Sequence, residues 1–296
     1  MRRWRCLPAI ALGLSAFLSA DGARSDVATP TSVRVGGNLY YGLSNINGSV
    51  RRHTDGQWAG VGTAYPSVLS LTWMGADLDT AVGSFGVGDL NTGSGRTAQQ
   101  PVECYYRRPI GSATVTFGKH YVPFALQEWE YETRWGMMAE TIVLGTSMEV
   151  SITSNPHTDA LNTSIRAAWH VAAGSEVGIS AAAGRGWSYG TSHNWGYGID
   201  ATVDVGPVSV TTEALEARGA HGTYQFGFIK AVLHSHHRAT PYVALFYGHD
   251  SADEIAELRS GIVGVDIEAL PHLTVSPCIG RAGGRNIWSL QTRVAF

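Results

Sequence analysis

Apolar and polar residues alternate one by one over much of this chain, which is the period of a β-strand with one face in an apolar medium. At the carboxyl end Trp288, Leu290, Thr292, Val294 and Phe296 fall on one parity, with Ser289, Gln291, Arg293 and Ala295 on the other. Near the amino end Val33, Val35, Gly37, Leu39, Tyr41 and Leu43 oppose Arg34, Gly36, Asn38, Tyr40 and Gly42. The clearest case sets Trp195, Tyr197, Ile199, Ala201, Val203 and Val205 against Gly196, Gly198, Asp200, Thr202 and Asp204. Leu69–Trp73, Ile165–Val171 and Val263–Ile267 follow the same rule. Trp and Tyr recur at the ends of these segments, where strands that cross a bilayer carry their aromatic girdles.

Reading parity along the whole chain predicts strands at 32–44, 64–74, 77–88, 100–108, 111–120, 125–135, 140–153 and 162–172. The series continues at 176–187, 195–205, 207–217, 222–234, 240–249, 257–269, 272–283 and 286–296. The sixth and seventh have a second reading, in which the stretch around 125–135 folds inward as a constriction loop and strands lie near 138–145 and 147–154. Connections near Gly75–Ala76, Pro109–Gly111, Gly174–Glu176, Gly206–Pro207 and Pro271–His272 are short. The alternate ones, such as Asn45 to Thr63, Gly88 to Ala98, Asn155 to Leu161 and Gly190 to Asn194, are longer and polar. Loops sorted by side, an even count and segments of ~10 residues together predict a transmembrane barrel. The fold expected is an all-β, closed antiparallel β-barrel of about sixteen strands, with short periplasmic turns and longer outer loops. Closure is required because an open edge in lipid leaves unpaired backbone groups.

The amino end adds an address. Arg2, Arg3 and Arg5 precede an apolar run from Leu7 to Leu18, followed by Ala20, Gly22 and Ala23. This pattern predicts a secretory signal peptide over 1–23, cut between Ala20 and Ala23, and a barrel domain over 24–296. The apolar run is too short to span a membrane as a helix. Glycine is frequent, 36 of 296 residues, and only 15% of residues are charged, which suits a wall with lipid on one side and water on the other. The formal net charge of −3 becomes more negative once the three leader arginines are gone, and nothing points to nucleic acid. Cys104 and Cys278 fall on segments far apart around the barrel, so no bridge is expected.

With these features the chain resembles a general porin of the Gram-negative outer membrane over its whole mature length. The resemblance implies passive diffusion of small hydrophilic solutes and ions, an outer-membrane location and a homotrimer. It also implies contact with outer-membrane lipid and lipopolysaccharide, and recognition by the barrel assembly machinery through Phe296, Val294 and Trp288. Neither a cofactor nor turnover is expected. The stretch Phe117 to Phe124 is similar to a Gly-basic-x-x-x-Pro-Phe segment of phosphate-selective porin-like proteins, which capture oxyanions with a ladder of basic residues. This chain departs from that ladder, having only Lys119 and Lys230 as lysines and three glutamates just beyond the motif.

Those glutamates, Glu128, Glu130 and Glu132, are the sharpest constellation. Three carboxylates on one side of a strand cannot face lipid, so they line the lumen or stand in water above it. In the lumen they favour cations, as charged rings tune pores. Arg134 follows them, and Arg34, Arg107, Arg166 and Arg293 lie on the polar parity of their strands. They either form a basic wall opposite the glutamates or pair with neighbours such as Glu103, Asp200 and Glu268 to stiffen the wall. His234, His236 and His237 read as a solvated turn, because no further ligand sits at metal spacing. No Ser lies at usable spacing from His120 or His170, which argues against a lipid-modifying barrel enzyme. The competing function is a structural or adhesive barrel that binds a partner through outer loops, Asn45 to Thr63 above all.

Overall fold

A computed structural model of the chain describes residues 32–45, 50–53, 67–75, 77–86, 101–125, 133–154, 160–184, 193–219, 222–234, 238–251 and 255–296. Among them there is no helix. Seventeen strands make one antiparallel sheet. The first eight are β1 (Ser32–Ser44), β2 (Arg51–His53), β3 (Val68–Met74), β4 (Thr80–Gly86), β5 (Pro101–Ile110), β6 (Ala113–Tyr121), β7 (Thr133–Val143) and β8 (Thr146–Ser154). The rest are β9 (Leu161–Ala172), β10 (Ser175–Ala183), β11 (His193–Val205), β12 (Val208–Gly219), β13 (Thr223–Leu233), β14 (Ala239–Asp250), β15 (Ile255–Leu270), β16 (Leu273–Ala282) and β17 (Arg285–Ala295). β2 is a three-residue piece set against Gly42–Ser44 of β1, which leaves sixteen strands in the wall. β1 pairs with β3 along Ser32–Asn38 and with β17 along Asn38–Ser44, so the sheet closes.

The closing seam depends on the chain end. The Gly37 N–H donates to the Phe296 carbonyl at 2.9 Å, and the Phe296 N–H donates back to the Gly37 carbonyl at 3.2 Å. A Cβ at Gly37 would collide with the Val68 carbonyl oxygen and press on the Phe296 ring. Glycine there lets one strand hold both neighbours, which removes the last sheet edge.

Fourteen of the expected segments match wall strands to within a few residues, and the sixth and seventh are corrected. Residues 125–135 and 140–153 are not single strands: β6 ends at Tyr121, β7 starts at Thr133, and the chain reverses at Leu144–Gly145 between β7 and β8. Leu144 and Gly145 both have positive φ, 52° and 78°, as a two-residue hairpin turn of the twisted-strand type requires. Of the second reading, the strand near 147–154 is found as β8, the strand near 138–145 is found as β7 starting five residues earlier, and residues 126–132 lie outside the described residues. Cys104 and Cys278 are both free thiols, as expected.

Parity sorts the wall as the alternation required. Ile199, Val263 and Ile279 stand 59%, 58% and 68% exposed on the outside, whereas Asp200, Ser164 and Ser289 on the other parity are buried within the barrel. Among the described residues of the chain nothing folds over that outer apolar belt, and a water-soluble monomer does not expose so continuous a surface. Following the register around the ring gives each outer residue a height, taking ~3.3 Å per residue, ~4.8 Å per strand and a tilt of about 40°. On this scale Trp73, Trp169 and Phe296 form a lower ring and Trp195, Tyr247 and Trp288 an upper one, about 20 Å apart. The belt between them fits the apolar band of a membrane barrel.

Candidate functional site: the lumen wall

The inner parity carries an ionic band that follows the sheet register. Arg107 on β5 reaches Glu140 on β7 at 2.6 Å. Glu140 sits opposite Glu149 on β8, and Glu149 opposite Arg166 on β9. The Tyr121 hydroxyl donates to Glu149 at 3.0 Å. Arg166 then spans β10 to reach β11: Nε and Nη2 donate to the two carboxylate oxygens of Asp200 at 3.1 and 2.6 Å, and Nη2 also donates to Glu176 at 2.7 Å. The gap it crosses is Gly178, where a Cβ would lie 2.5 Å from Asp200 Oδ1 and 2.9 Å from Arg166 Nη2. Asp200 is paired in register with Glu213 on β12, and both are almost fully buried. A fork-shaped guanidinium satisfies both oxygens of one carboxylate while reaching a second, which a lysine could not do.

The structure thus brings Arg107 and Arg166 together in one band. Arg293 faces inward from β17, eight wall strands from Arg166 and therefore on the opposite side, paired in register with Tyr40 and Thr274. Arg34 lies at the end of the barrel that carries both termini, in register with Thr72. Arg134 is buried near the loop end of β7, opposite His120 of β6. Glu128, Glu130 and Glu132 lie outside the described residues, as do His236, His237 and most of Asn45 to Thr63. Among the described residues no group of three His, Cys, Asp or Glu forms a metal site. Trp288 and Val294 face outward on the last strand, which Phe296 closes onto β1.

One part of the inner wall was missed by the sequence reading. The inner faces of β12–β15 carry Leu215, Tyr224, Phe226, Phe228, Tyr242, Ala244, Phe246 and Ile262, all buried in one apolar cluster. Phe228 and Phe246 stack with centroids 5.7 Å apart, and Lys230 Nζ sits 5.7 Å from the Tyr242 ring centroid. The inner wall is therefore part polar and part aromatic. The signal was there: Tyr242 to Tyr247 is apolar on both parities, so neither face of that strand is wet.

The same cluster receives the chain as it leaves β6. Val122, Phe124 and Ala125 turn inward and join it. The Ala125 N–H donates to Ser180 Oγ on β10 at 3.0 Å, and a Cβ at Gly198 would touch Ala125 Cβ at 3.4 Å. The segment therefore leaves the wall at β6 and is tied to the wall at β10, which narrows the interior on the charged side.

No protein-family profile and no curated relative matches the chain. Solved structures do. The in-vitro folded trimer form of OmpT, an outer membrane protein of Vibrio cholerae, superposes with a TM-score of 0.67 at 9% identity, covering 90% of this chain and 99% of that one. An anion-selective porin from Comamonas acidovorans gives 0.65 at 11% identity over 90% and 99%. The outer membrane channel DcaP of Acinetobacter baumannii gives 0.64 at 8% identity over 90% and 97%. At these identities the likeness establishes the closed sixteen-strand barrel shared with outer-membrane porins and channels.

Proposed function

We propose that this chain is a diffusion channel of the Gram-negative outer membrane, passing small hydrophilic solutes and ions with a preference for cations. A sixteen-strand barrel is wide enough to keep an aqueous path even with a segment folded into it. The observation that carries the ion preference is the charge balance of the described inner band. Glu103, Glu140, Glu149, Glu176, Asp200, Glu213 and Asp266 face Arg107, Arg166, Lys230 and Arg293. The excess of carboxylates lowers the energy of a cation in the narrow, low-dielectric interior and raises that of an anion. The apolar sector on β12–β15 supports the same reading, because it seats the inward segment Val122–Ala125 against the wall and keeps it from filling the lumen.

The Glu128, Glu130 and Glu132 row extends this proposal. Transport needs no turnover and no cofactor, and the solute itself carries the specificity. The barrel works as a homotrimer, in keeping with small outward residues such as Gly37, Ala167, Ala181 and Ala183 that permit close approach of a second copy. A single-barrel mass in mild detergent, stable on dilution, would refute the trimer.

Planar-bilayer recording tests the channel. Purified barrel should give steady ohmic steps, and a salt gradient should give a reversal potential of the sign set by cation flow. Glu140→Gln with Glu149→Gln should move that potential toward the anion side, and Arg107→Gln should move it the other way. The triple change Glu128→Gln, Glu130→Gln, Glu132→Gln reports whether that row adds to the band. A barrel that inserts but never conducts would overturn the function, and a reversal potential indifferent to every one of these changes would overturn the site.

A further inference from the structure

A bend is built into the β6–β7 hairpin where two glycines face each other. Gly118 and Gly136 are paired in register. A Cβ on Gly118 would collide with the Cys104 carbonyl oxygen of β5, and one on Gly136 with the Ile152 carbonyl oxygen of β8. Gly118 also has a φ of 122°, which any side chain would disfavour. Glycines in such close contact mark a sharp bend in a barrel strand. Below the pair β6 keeps the parity of the wall, with Thr116 buried inside and Phe117 exposed outside.

Above the pair that parity fails. Tyr121 shares the parity of the outward Phe117, yet its hydroxyl donates to the lumen carboxylate Glu149 at 3.0 Å. In register Tyr121 stands level with Thr133, and Glu149 stands level with Glu140. Along a straight strand those two levels lie ~23 Å apart, beyond the reach of both side chains. Past Gly118, β6 therefore leaves the wall and leans down into the lumen. β7 closes over the place it vacates: Thr133 Oγ1 donates to the Val102 carbonyl of β5, two strands away, at 2.7 Å. His120 is 1% exposed, and its Nδ1–H donates to the Tyr121 carbonyl at 2.7 Å, so a packed neighbour aims the tyrosine.

We propose that Tyr121 sets the size limit for neutral hydrophilic solutes, its hydroxyl and Glu149 forming the latch that holds the bent end of β6 across the lumen. This role presupposes the channel proposed above and adds the residue that decides which uncharged solutes pass. Two attachments hold the arm. At the far end Val122, Phe124 and Ala125 sit in the apolar cluster, with the Ala125 N–H on Ser180. At the near end there is the latch, a hydrogen bond strengthened by the carboxylate charge. The glycines at the bend carry no side chain to resist straightening. Without the hydroxyl, the end of β6 swings back toward the wall and the aperture widens. Ion preference is a separate property, because the phenol carries no charge.

The test reconstitutes the full barrel in vesicles and follows swelling with a neutral mono-, di- and trisaccharide. Each rate is divided by the monosaccharide rate of the same preparation, which cancels differences in yield. For the unaltered barrel the ratios should fall steeply with size. Tyr121→Phe should raise the trisaccharide ratio at least threefold. Glu149→Ala should do the same, and the two changes together should go no further than either alone. Glu149→Gln keeps an acceptor oxygen, so it should disturb the ratio less than Glu149→Ala, although both remove the same charge. Should Tyr121→Phe fail to fold, judged by heat-modifiable migration, the comparison of Glu149→Ala with Glu149→Gln carries the test. An unchanged size profile in folded Tyr121→Phe overturns the latch and leaves the channel standing. Equal ratios for Glu149→Gln and Glu149→Ala overturn the latch as well. An unaltered barrel that passes neither sugar nor ions overturns the channel, and the latch with it.

Discussion

Replacing Arg166 with Gln should cost this barrel more stability than any other single charge removal in the band. Its guanidinium is 12% exposed and Asp200 only 1%, so the pair is largely cut off from water. Removing one partner of such a pair costs about 3–5 kcal/mol, because the remaining charge is left desolvated. Here the penalty is compounded by position: Asp200 stands directly opposite Glu213, itself buried, and loses the cation that separates them electrostatically. Asp200→Asn is a milder change. It leaves Arg166 bound to Glu176 at 2.7 Å and keeps an acceptor oxygen, so a loss of about 1–2 kcal/mol is expected.

The two changes together remove both the charge and its stranded partner. The double variant should therefore be no worse than Arg166→Gln alone, giving a coupling energy of at least about 1–2 kcal/mol. Equilibrium urea unfolding in lipid vesicles, followed by Trp fluorescence, measures all three variants against the parent. Refolding must be shown to retrace unfolding, since hysteresis would make the free energies undefined. Costs that add to within about 0.5 kcal/mol would refute the reasoning, for they would mean that Arg166 and Asp200 act independently.

Gly178→Ala should cost about 2–4 kcal/mol by forcing Arg166 away from Asp200, and should cost far less in the Arg166→Gln background, as the same unfolding assay would show. Ser180→Ala removes the acceptor held by the Ala125 N–H; about 1–2 kcal/mol is lost locally, and single-channel traces should show larger or noisier steps as the inward segment loosens. Phe228→Ala leaves a hole beside Phe246 and should lower stability by about 3–5 kcal/mol, with the seat of that segment weakened in the same recordings. Gly37→Val should block closure at the β1–β17 seam, seen as a lower yield of heat-modifiable barrel on refolding into detergent.

The outer face of this barrel was legible in the sequence because lipid imposes one condition on every outward residue. Each of the matched strands, from Val33–Leu43 to Trp288–Phe296, satisfies that condition independently, so a period of two survives errors at single positions. The inner face obeys no uniform condition. Part of it carries the ionic band, and there Arg166, Glu176 and Asp200 read as a polar parity. Part of it meets the inward-turning segment, and there Phe226, Phe228 and Phe246 are as apolar as the lipid face. Alternation fades where both faces are dry, which is why the aromatic sector of β13 and β14 escaped a reading based on contrast.

The same reasoning explains the misplaced strands. The alternation of Trp129, Tyr131, Thr133 and Trp135 with Glu128, Glu130, Glu132 and Arg134 has the period of a wall strand, but period alone does not say whether a stretch lies in the wall. What decides is the turn chemistry further on. Gly145, which follows Leu144 in a left-handed pair, marks the reversal between β7 and β8 and fixes where β7 must begin. From there the register runs back to Thr133 against Tyr121. The Ala125 hydrogen bond to Ser180 directs the chain leaving β6 inward and across to β10. Val122–Ala125 thus comes to lie beside the charged band, seated on the apolar cluster and tied to β10.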